Sequence, residues 1–127
     1  MSHGTLVWNE LLTRDVDAAK EFYGALVGWS YKPMPMVDGA GTYWVAELDD
    51  KPVAGIMAMP EDMPREVPPH WFEYLEVDDV DVRLKLVTER GGTLMRPPFD
   101  VPDVGRLGFA MDSAGAAFGL MTPVRRT

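Results

Sequence analysis

The chain has 127 residues, a formal net charge of −8 and no cysteine. The absence of thiols excludes disulfides, cysteine zinc sites and a thiol nucleophile. The acidic balance argues against a general nucleic-acid-binding role, because phosphate contacts need a basic surface. A chain of this length is expected to form one domain over residues 1–127 with a real core. Since no secretory signal or membrane-length apolar run is evident, we expect a cytoplasmic protein without membrane partners.

The first half of the chain, about residues 4–60, predicts one strand, one helix and three further strands. Residues 5–13 are rich in β-formers and precede Asp15, which is a favourable helix N-cap. The apolar residues of the next segment recur at helical spacing up to Val27, and Gly28 ends the helix. The three extended segments that follow are separated by turn-forming residues. They are predicted at 29–36, 43–49 and 52–59.

The second half, about residues 70–124, predicts the same order of elements. Residues 60–69 contain several prolines and form a linker, because proline cannot continue a strand ladder. A strand from Trp71 to Val77 leads to Asp79 as the N-cap, and the helix is predicted to end at Gly91-Gly92. The three remaining strands are predicted at 93–99, 105–111 and 116–122.

The two halves are related by an internal repeat with a shift of 64 positions. Asp15-Val16-Asp17 falls on Asp79-Val80-Asp81, and Ala54–Met57 falls on Phe118–Met121, without a gap. A repeat of this length indicates a duplicated structural module. Because one helix covers only one face of a four-stranded sheet, two modules are expected to turn their bare faces toward each other. The predicted fold is therefore α+β, with two tandem βαβββ modules forming a curved mixed sheet around a shared concave pocket.

The segments WNELLTRDVDAAKEFYGALVGW, from Trp8 to Trp29, and HWFEYLEVDDVDVRLKLVTERGG, from His70 to Gly92, carry a family resemblance. Together with the strand ends AGIMAMP and FGLMTP, they resemble the glyoxalase/bleomycin resistance/dioxygenase group, also called the vicinal oxygen chelate superfamily. The similarity is to bacterial members described as glyoxalase-like or hydroxylase-like. The group includes lyases, isomerases, dioxygenases and drug-binding proteins, so the fold does not define the activity. The resemblance also implies a homodimer.

The resemblance allows a test for a metal site. In metal-using members, the ligands are His, Glu or Gln side chains on the first and last strands of each module. The corresponding positions in this chain are Trp8, Phe72, Gly55 and Gly119, and none of these side chains can ligate a divalent metal. We therefore predict no family metal site and no cofactor.

Strand alternation then predicts the residues that line a ligand pocket. Aromatic rings and methionines on this lining favour an aromatic or amphipathic ligand, which is cationic if it faces Glu10. The predicted ligand-binding residues are Trp8, Glu10, Leu12, Gly55, Met57, Met59, Phe72, Tyr74, Gly119 and Met121.

Glu10 leaves two functional alternatives open beside a purely ligand-binding protein. A carboxylate among apolar neighbours is costly to bury, and desolvation would raise its pKa toward that of a general base. The first alternative is therefore a metal-independent lyase, isomerase or hydroxylase that uses Glu10 as an acid/base. The second is a metal-dependent enzyme with an alternative site made of Glu10, His70 and Glu76. The apolar lining is also compatible with an ordinary hydrophobic core.

Overall fold

The computed structural model describes residues 3–36 and 41–124. No helix in this part of the chain is long and apolar enough to cross a membrane. The elements in chain order are β1 (Leu6–Thr13), α1 (Val16–Val27), β2 (Ser30–Pro35), β3 (Thr42–Leu48), β4 (Lys51–Ala58), β5 (His70–Glu76), α2 (Val80–Glu89), β6 (Thr93–Val101), β7 (Gly105–Met111) and β8 (Ala117–Pro123).

The predicted α+β class and the βαβββ order of each half are confirmed. Both predicted N-caps are present, because Asp15 accepts a hydrogen bond from the Ala18 N–H at 2.9 Å and Asp79 accepts one from the Val82 N–H at 3.2 Å. Gly28 ends α1 in the left-handed conformation that glycine adopts without steric cost. The second helix ends at Glu89 with Arg90 as its C-cap, and Gly91 follows in the left-handed conformation, so the predicted glycine stop is present.

The chain divides into two compact units. The first unit is Trp8–Phe72, and its strand order is β2-β3-β4-β1. The second unit begins at Glu73 and includes residues 3–7, and its strand order is β5-β8-β7-β6. In each unit the first and last strands pair parallel while the other pairs are antiparallel, so the pairing is mixed.

Strand register repeats the 64-residue shift of the sequence. In the first unit, β1, β4, β3 and β2 contribute one residue each to a row that runs across the strands, and the second unit has the equivalent row. Residues that lie directly opposite one another on paired strands point to the same face. The first row is Glu10, Gly55, Val45 and Lys32; the second row is Tyr74, Gly119, Phe109 and Arg96.

Each helix packs on the face opposite these rows. In the second unit, Val80 and Leu84 of α2 form a buried cluster with Val77, Ala110 and Leu120. In the first unit, the Lys20 ammonium of α1 lies 3.1 Å from the centre of the Trp44 ring, and the neighbouring strand positions Ala54 and Ile56 are buried. The first row therefore lies on the sheet face that does not contact α1, which we call the face opposite α1. The second row lies on the corresponding face of the second unit, which we call the face opposite α2.

The two helices differ in how much of their apolar surface they bury. No residue of α1 is buried, and Phe22 and Leu26 are 59% and 62% exposed. A shallow groove of about 500 Å³ runs beside this helix and is lined by Leu11, Phe22, Tyr23 and Trp71, among others. Tyr23 stacks on Trp29 and meets the edge of Trp71, so the groove has an aromatic wall.

Candidate functional site

The face opposite α1 is organised around the ring of Tyr43. Val45 is paired with Gly55, and Tyr43 lies two residues before Val45 on the same face of β3. A Cβ atom added at Gly55 would overlap the phenol of Tyr43. The missing side chain at Gly55 therefore makes the space that the Tyr43 phenol fills.

The Tyr43 hydroxyl links two residues of β1 by hydrogen bonds. The Trp8 indole N–H donates to the Tyr43 oxygen at 2.6 Å, and the Tyr43 hydroxyl donates to the Glu10 carboxylate. Trp8 and Glu10 are two residues apart on one strand and so share a face. Glu10 is only 7% exposed. A donor chain from indole to phenol to carboxylate thus holds a buried acid in one orientation, and a charge-assisted bond of this kind is stronger than a neutral one.

The same contacts keep the Tyr43 hydroxyl protonated. Burial is the main cause that raises the pKa of Tyr43 above its ordinary value of 10.0, and the charge of Glu10 raises it further. The hydrogen bond from Trp8 acts in the opposite direction and does not offset these effects. Since the phenol is protonated throughout the neutral range, it remains a hydrogen-bond donor to Glu10.

A second buried carboxylate, Glu47, lies in the same unit and is also 7% exposed. It follows a register shift between Ala46 and Glu47 on β3. Lys32 is the last residue of the first row, which contains Gly55. Its ammonium group is well exposed and lies 3.5 Å from the Glu47 carboxylate. Because Lys32 is paired in this way, its charge is partly satisfied within the protein.

On the face opposite α2, aromatic rings occupy the equivalent positions. Tyr74 and Phe109 are both paired with Gly119, and the centres of their rings are 6.0 Å apart. Phe99 meets Phe109 edge to face at 5.4 Å. The face opposite α2 thus carries aromatic rings, whereas the equivalent row of the first unit contains the carboxylate of Glu10.

The structure brings several of the predicted site residues together. Trp8, Glu10 and Gly55 surround Tyr43, and Leu12 is paired with Met57. Met59 is buried just after β4, where its N–H donates a hydrogen bond to the Thr13 carbonyl. In the second unit, Tyr74 pairs with Gly119, and Met121 pairs with Glu76 in the next row. Phe72 is buried in β5. That these residues bind a ligand stays a prediction.

Sequence reasoning missed the residues on the middle strands. The family ligand positions lie on the first and last strands of each module, and they give no information about Tyr43, Glu47, Arg96, Phe99 and Phe109. The internal repeat pairs Lys32 with Arg96 and Val45 with Phe109 at the same shift of 64. Extending the repeat to the middle strands would have found the two rows, although not the reach of Tyr43 to Glu10.

The residues present do not fit the metal site of the superfamily. Trp8 offers only an N–H donor at its position, and the Tyr43 phenol fills the space above Gly55. No group of three or more His, Asp or Glu side chains could hold a metal ion within residues 3–36 and 41–124.

The alternative metal site of Glu10, His70 and Glu76 is not assembled either. His70 lines the groove beside α1, and its Nδ1–H donates to the Pro68 carbonyl at 2.8 Å. Glu10 lies on the face opposite α1. These two side chains therefore point to different sides of the first unit.

We expect Gly55→Ala to destabilise the protein by about 1–3 kcal/mol, because the new methyl group must displace the Tyr43 ring. Urea unfolding of the variant measures this cost. Gly24→Ala is the matched control, since its Cβ would meet the nearest atom, the Trp29 carbonyl oxygen, at an ordinary 3.5 Å. A double variant that also carries Tyr43→Ala should cost less than the sum of the two single changes. Full additivity would contradict the contact.

Tyr43 also predicts a dependence of stability on alkaline pH. In the unfolded chain the phenol ionises near its ordinary pKa of 10.0, whereas its folded pKa is raised. Its contribution is therefore fully present below about pH 10 and is lost as the pH rises from there toward the folded pKa. Unfolding free energies measured across this range should fall more steeply in the wild type than in Tyr43→Phe. Equal slopes would contradict the assignment.

The profile of the Glyoxalase/Bleomycin resistance protein/Dioxygenase superfamily matches residues 5–120. CFP32 of Mycobacterium tuberculosis, provisionally named a glyoxylase, is 45% identical over 117 residues, which are 92% of this chain and 45% of that protein. The anthracycline biosynthesis protein DnrV of Streptomyces peucetius is 33% identical over 128 residues, covering 92% of this chain and 46% of its own length.

A solved structure supports the fold alone. Methylmalonyl-CoA epimerase from Mycobacterium tuberculosis superposes with a TM-score of 0.68 at 17% identity, covering 96% of this chain and 89% of that chain. The chain spans about half the length of the curated relatives it matches. The profile match, the identity to CFP32 and the βαβββ order of both units together show that this chain belongs to the glyoxalase/bleomycin resistance protein/dioxygenase superfamily.

Proposed function

We propose that this domain binds a small aromatic or amphipathic molecule on the faces opposite its helices, without the metal of its superfamily. The observation that carries the proposal is the Tyr43 phenol above Gly55, where it links Trp8 to Glu10. These residues supply ring surface and one carboxylate, and no metal-ligand set. Sites that bind small molecules typically combine an apolar lining with a few polar groups in this way.

The names of two relatives support an aromatic ligand. DnrV and DauV of Streptomyces sp. (strain C5), the latter 31% identical to this chain, are named for anthracycline biosynthesis, and anthracyclines are planar aromatic compounds. Flat rings bind well between aromatic side chains, which provide large contact areas at low entropic cost. Sequestration of an antibiotic-like compound in the cytoplasm is one role that such binding would serve.

A second candidate function is metal-independent acid/base catalysis by Glu10. It is favoured by the burial of Glu10 and by the hydrogen bond from Tyr43, which fixes the orientation of the carboxylate. A buried and oriented carboxylate can take a proton from a C–H or O–H group of the ligand, and the protonated Tyr43 hydroxyl would stabilise the charged form before transfer. The provisional name of CFP32 is consistent with an enzyme.

Binding of naphthylmethanol, a neutral aromatic probe, tests the proposed function by calorimetry and by thermal shift. We expect binding that a chelator does not change, and a weaker affinity in Trp8→Leu. Trp71→Leu is the control, because Trp71 lines the groove beside α1. No binding, or binding that requires added divalent metal, would contradict the proposal.

The fate of bound compounds separates the two candidates in the same experiment. Ligands recovered unchanged after long incubation support a binding protein. Chemical conversion of the ligand that persists in Glu47→Gln but is lost in Glu10→Gln supports acid/base catalysis. Glu47 is the control, because it is equally buried and is paired with Lys32.

We further propose that the exposed surface of α1 packs against a second copy of this chain. Phe22 and Leu26 lie on the outside of the helix beside the aromatic groove, and large exposed apolar surfaces mark interaction sites. The matched relatives are about twice as long as this chain, which leaves room in each for a second domain of this size. A homodimer would supply the same neighbour between chains.

Sedimentation analysis tests this interface. We expect a dimer in the wild type and a monomer in the Phe22→Ser, Leu26→Ser double variant, which removes apolar surface from α1. Val82→Ser is the matched control, because Val82 is 51% exposed on α2 and should leave the dimer intact. A wild-type monomer at all concentrations, or an unchanged dimer in the double variant, would contradict the proposal.

A further inference from the structure

The row on the face opposite α2 ends in a basic residue, Arg96. It runs through Tyr74, Gly119 and Phe109 to Arg96, each paired with the next across the strands. The equivalent row of the first unit ends in Lys32 at the matching position of the repeat. The two basic residues have different surroundings, and this difference defines a candidate subsite.

Irregular pairing in β6 places Arg96 and Phe99 on one face. Residues three apart on a regular strand point to opposite faces. Here Arg96 pairs with Phe109 and Phe99 pairs with Leu107, so the three-residue step on β6 matches a two-residue step on β7. The extra residue is absorbed at Pro97-Pro98, which restricts the backbone. Bulges of this kind redirect side chains next to functional sites.

The Arg96 guanidinium stacks on the ring of Phe99 and lies near the ring of Phe109. Its central carbon lies 3.7 Å from the centre of the Phe99 ring and 5.9 Å from that of Phe109. Phe109 in turn contacts both Phe99 and Tyr74 edge to face. Stacking on a ring orients a guanidinium and leaves the N–H groups at its edge able to donate.

The charge of Arg96 is not matched by an acid within the described residues. Lys32 pairs with Glu47, Arg83 with Asp78, and Arg106 with Asp81 and Asp100, whereas Arg96 makes no ion pair in that part of the chain. In a protein with a net charge of −8, an arginine that is held by rings and not by a carboxylate is suited to an anion from solution.

We propose that the face opposite α2 binds the anionic edge of a planar aromatic ligand, such as an aryl carboxylate or a phenolate. The Arg96 guanidinium donates paired N–H hydrogen bonds to the anion, and the ligand ring packs against Phe99 and Phe109. This inference rests on the proposed function and names the ligand class. It concerns the face opposite α2, and the cationic ligand predicted from Glu10 on the face opposite α1 stays a prediction.

Three probes that share one ring system test the proposal by calorimetry: naphthoate, naphthylmethanol and naphthylmethylammonium. We expect naphthoate to bind most tightly. Arg96→Gln should weaken naphthoate binding roughly ten- to hundredfold, as expected for loss of a charge-assisted pair, and should leave naphthylmethanol nearly unchanged. Arg90→Gln is the matched control, because it removes the same charge from an exposed position at the end of α2.

Two further variants test the planar shape of the Arg96 guanidinium separately from its charge, and the Phe99 ring separately from protein folding. Arg96→Lys keeps the charge without the planar fork and should recover only part of the affinity. Phe99→Leu keeps apolar volume and should weaken all three probes if the ring packs on the ligand. Circular dichroism and the melting temperature show whether each variant is folded.

The outcomes distinguish this inference from the proposed function. Equal affinities for the three probes, a preference for the cation, or a naphthoate affinity that Arg96→Gln does not change would overturn the inference and leave the proposed function standing. Failure of all three probes to bind would overturn both.

Discussion

The candidate site depends on one constraint. In each unit, a glycine of the last strand is paired with a residue of the first strand. Gly55 lies opposite Glu10, and Gly119 lies opposite Tyr74. Because neither glycine has a side chain, the neighbouring strands supply the groups at these positions. In the first unit that group is the Tyr43 phenol, which reaches back to Trp8 and Glu10. The polar organisation of that face follows from one missing Cβ atom.

The two units use one scaffold for different chemistry. Their rows match residue for residue, but the first contains a buried carboxylate held by a phenol, and the second contains aromatic rings below a guanidinium. The two basic ends also differ, since Lys32 pairs with Glu47 and Arg96 is oriented by Phe99. Duplication preserves backbone register because the strand ladder requires it, whereas side chains on the faces opposite the helices are free to diverge.

Burial is also unequal between the duplicated helices. Val80 and Leu84 of α2 are buried in a cluster with β7 and β8, whereas α1 keeps Phe22 and Leu26 exposed. A buried helix face stabilises its own unit, and an exposed apolar face provides area for association. This difference is the reason for proposing a partner for α1 and not for α2.

The sequence by itself determined the strand and helix order, both N-caps and the absence of metal ligands at the superfamily positions. These features depend on local periodicity, on capping chemistry and on an unbroken repeat, all of which are visible in one dimension. Only the tertiary structure decided that Tyr43 lies over Gly55, that His70 points away from Glu10, and that Arg96 and Phe99 share a face. Those placements depend on strand register and on a bulge. A register shift of one residue would move every side chain of the strand to the opposite face of the sheet.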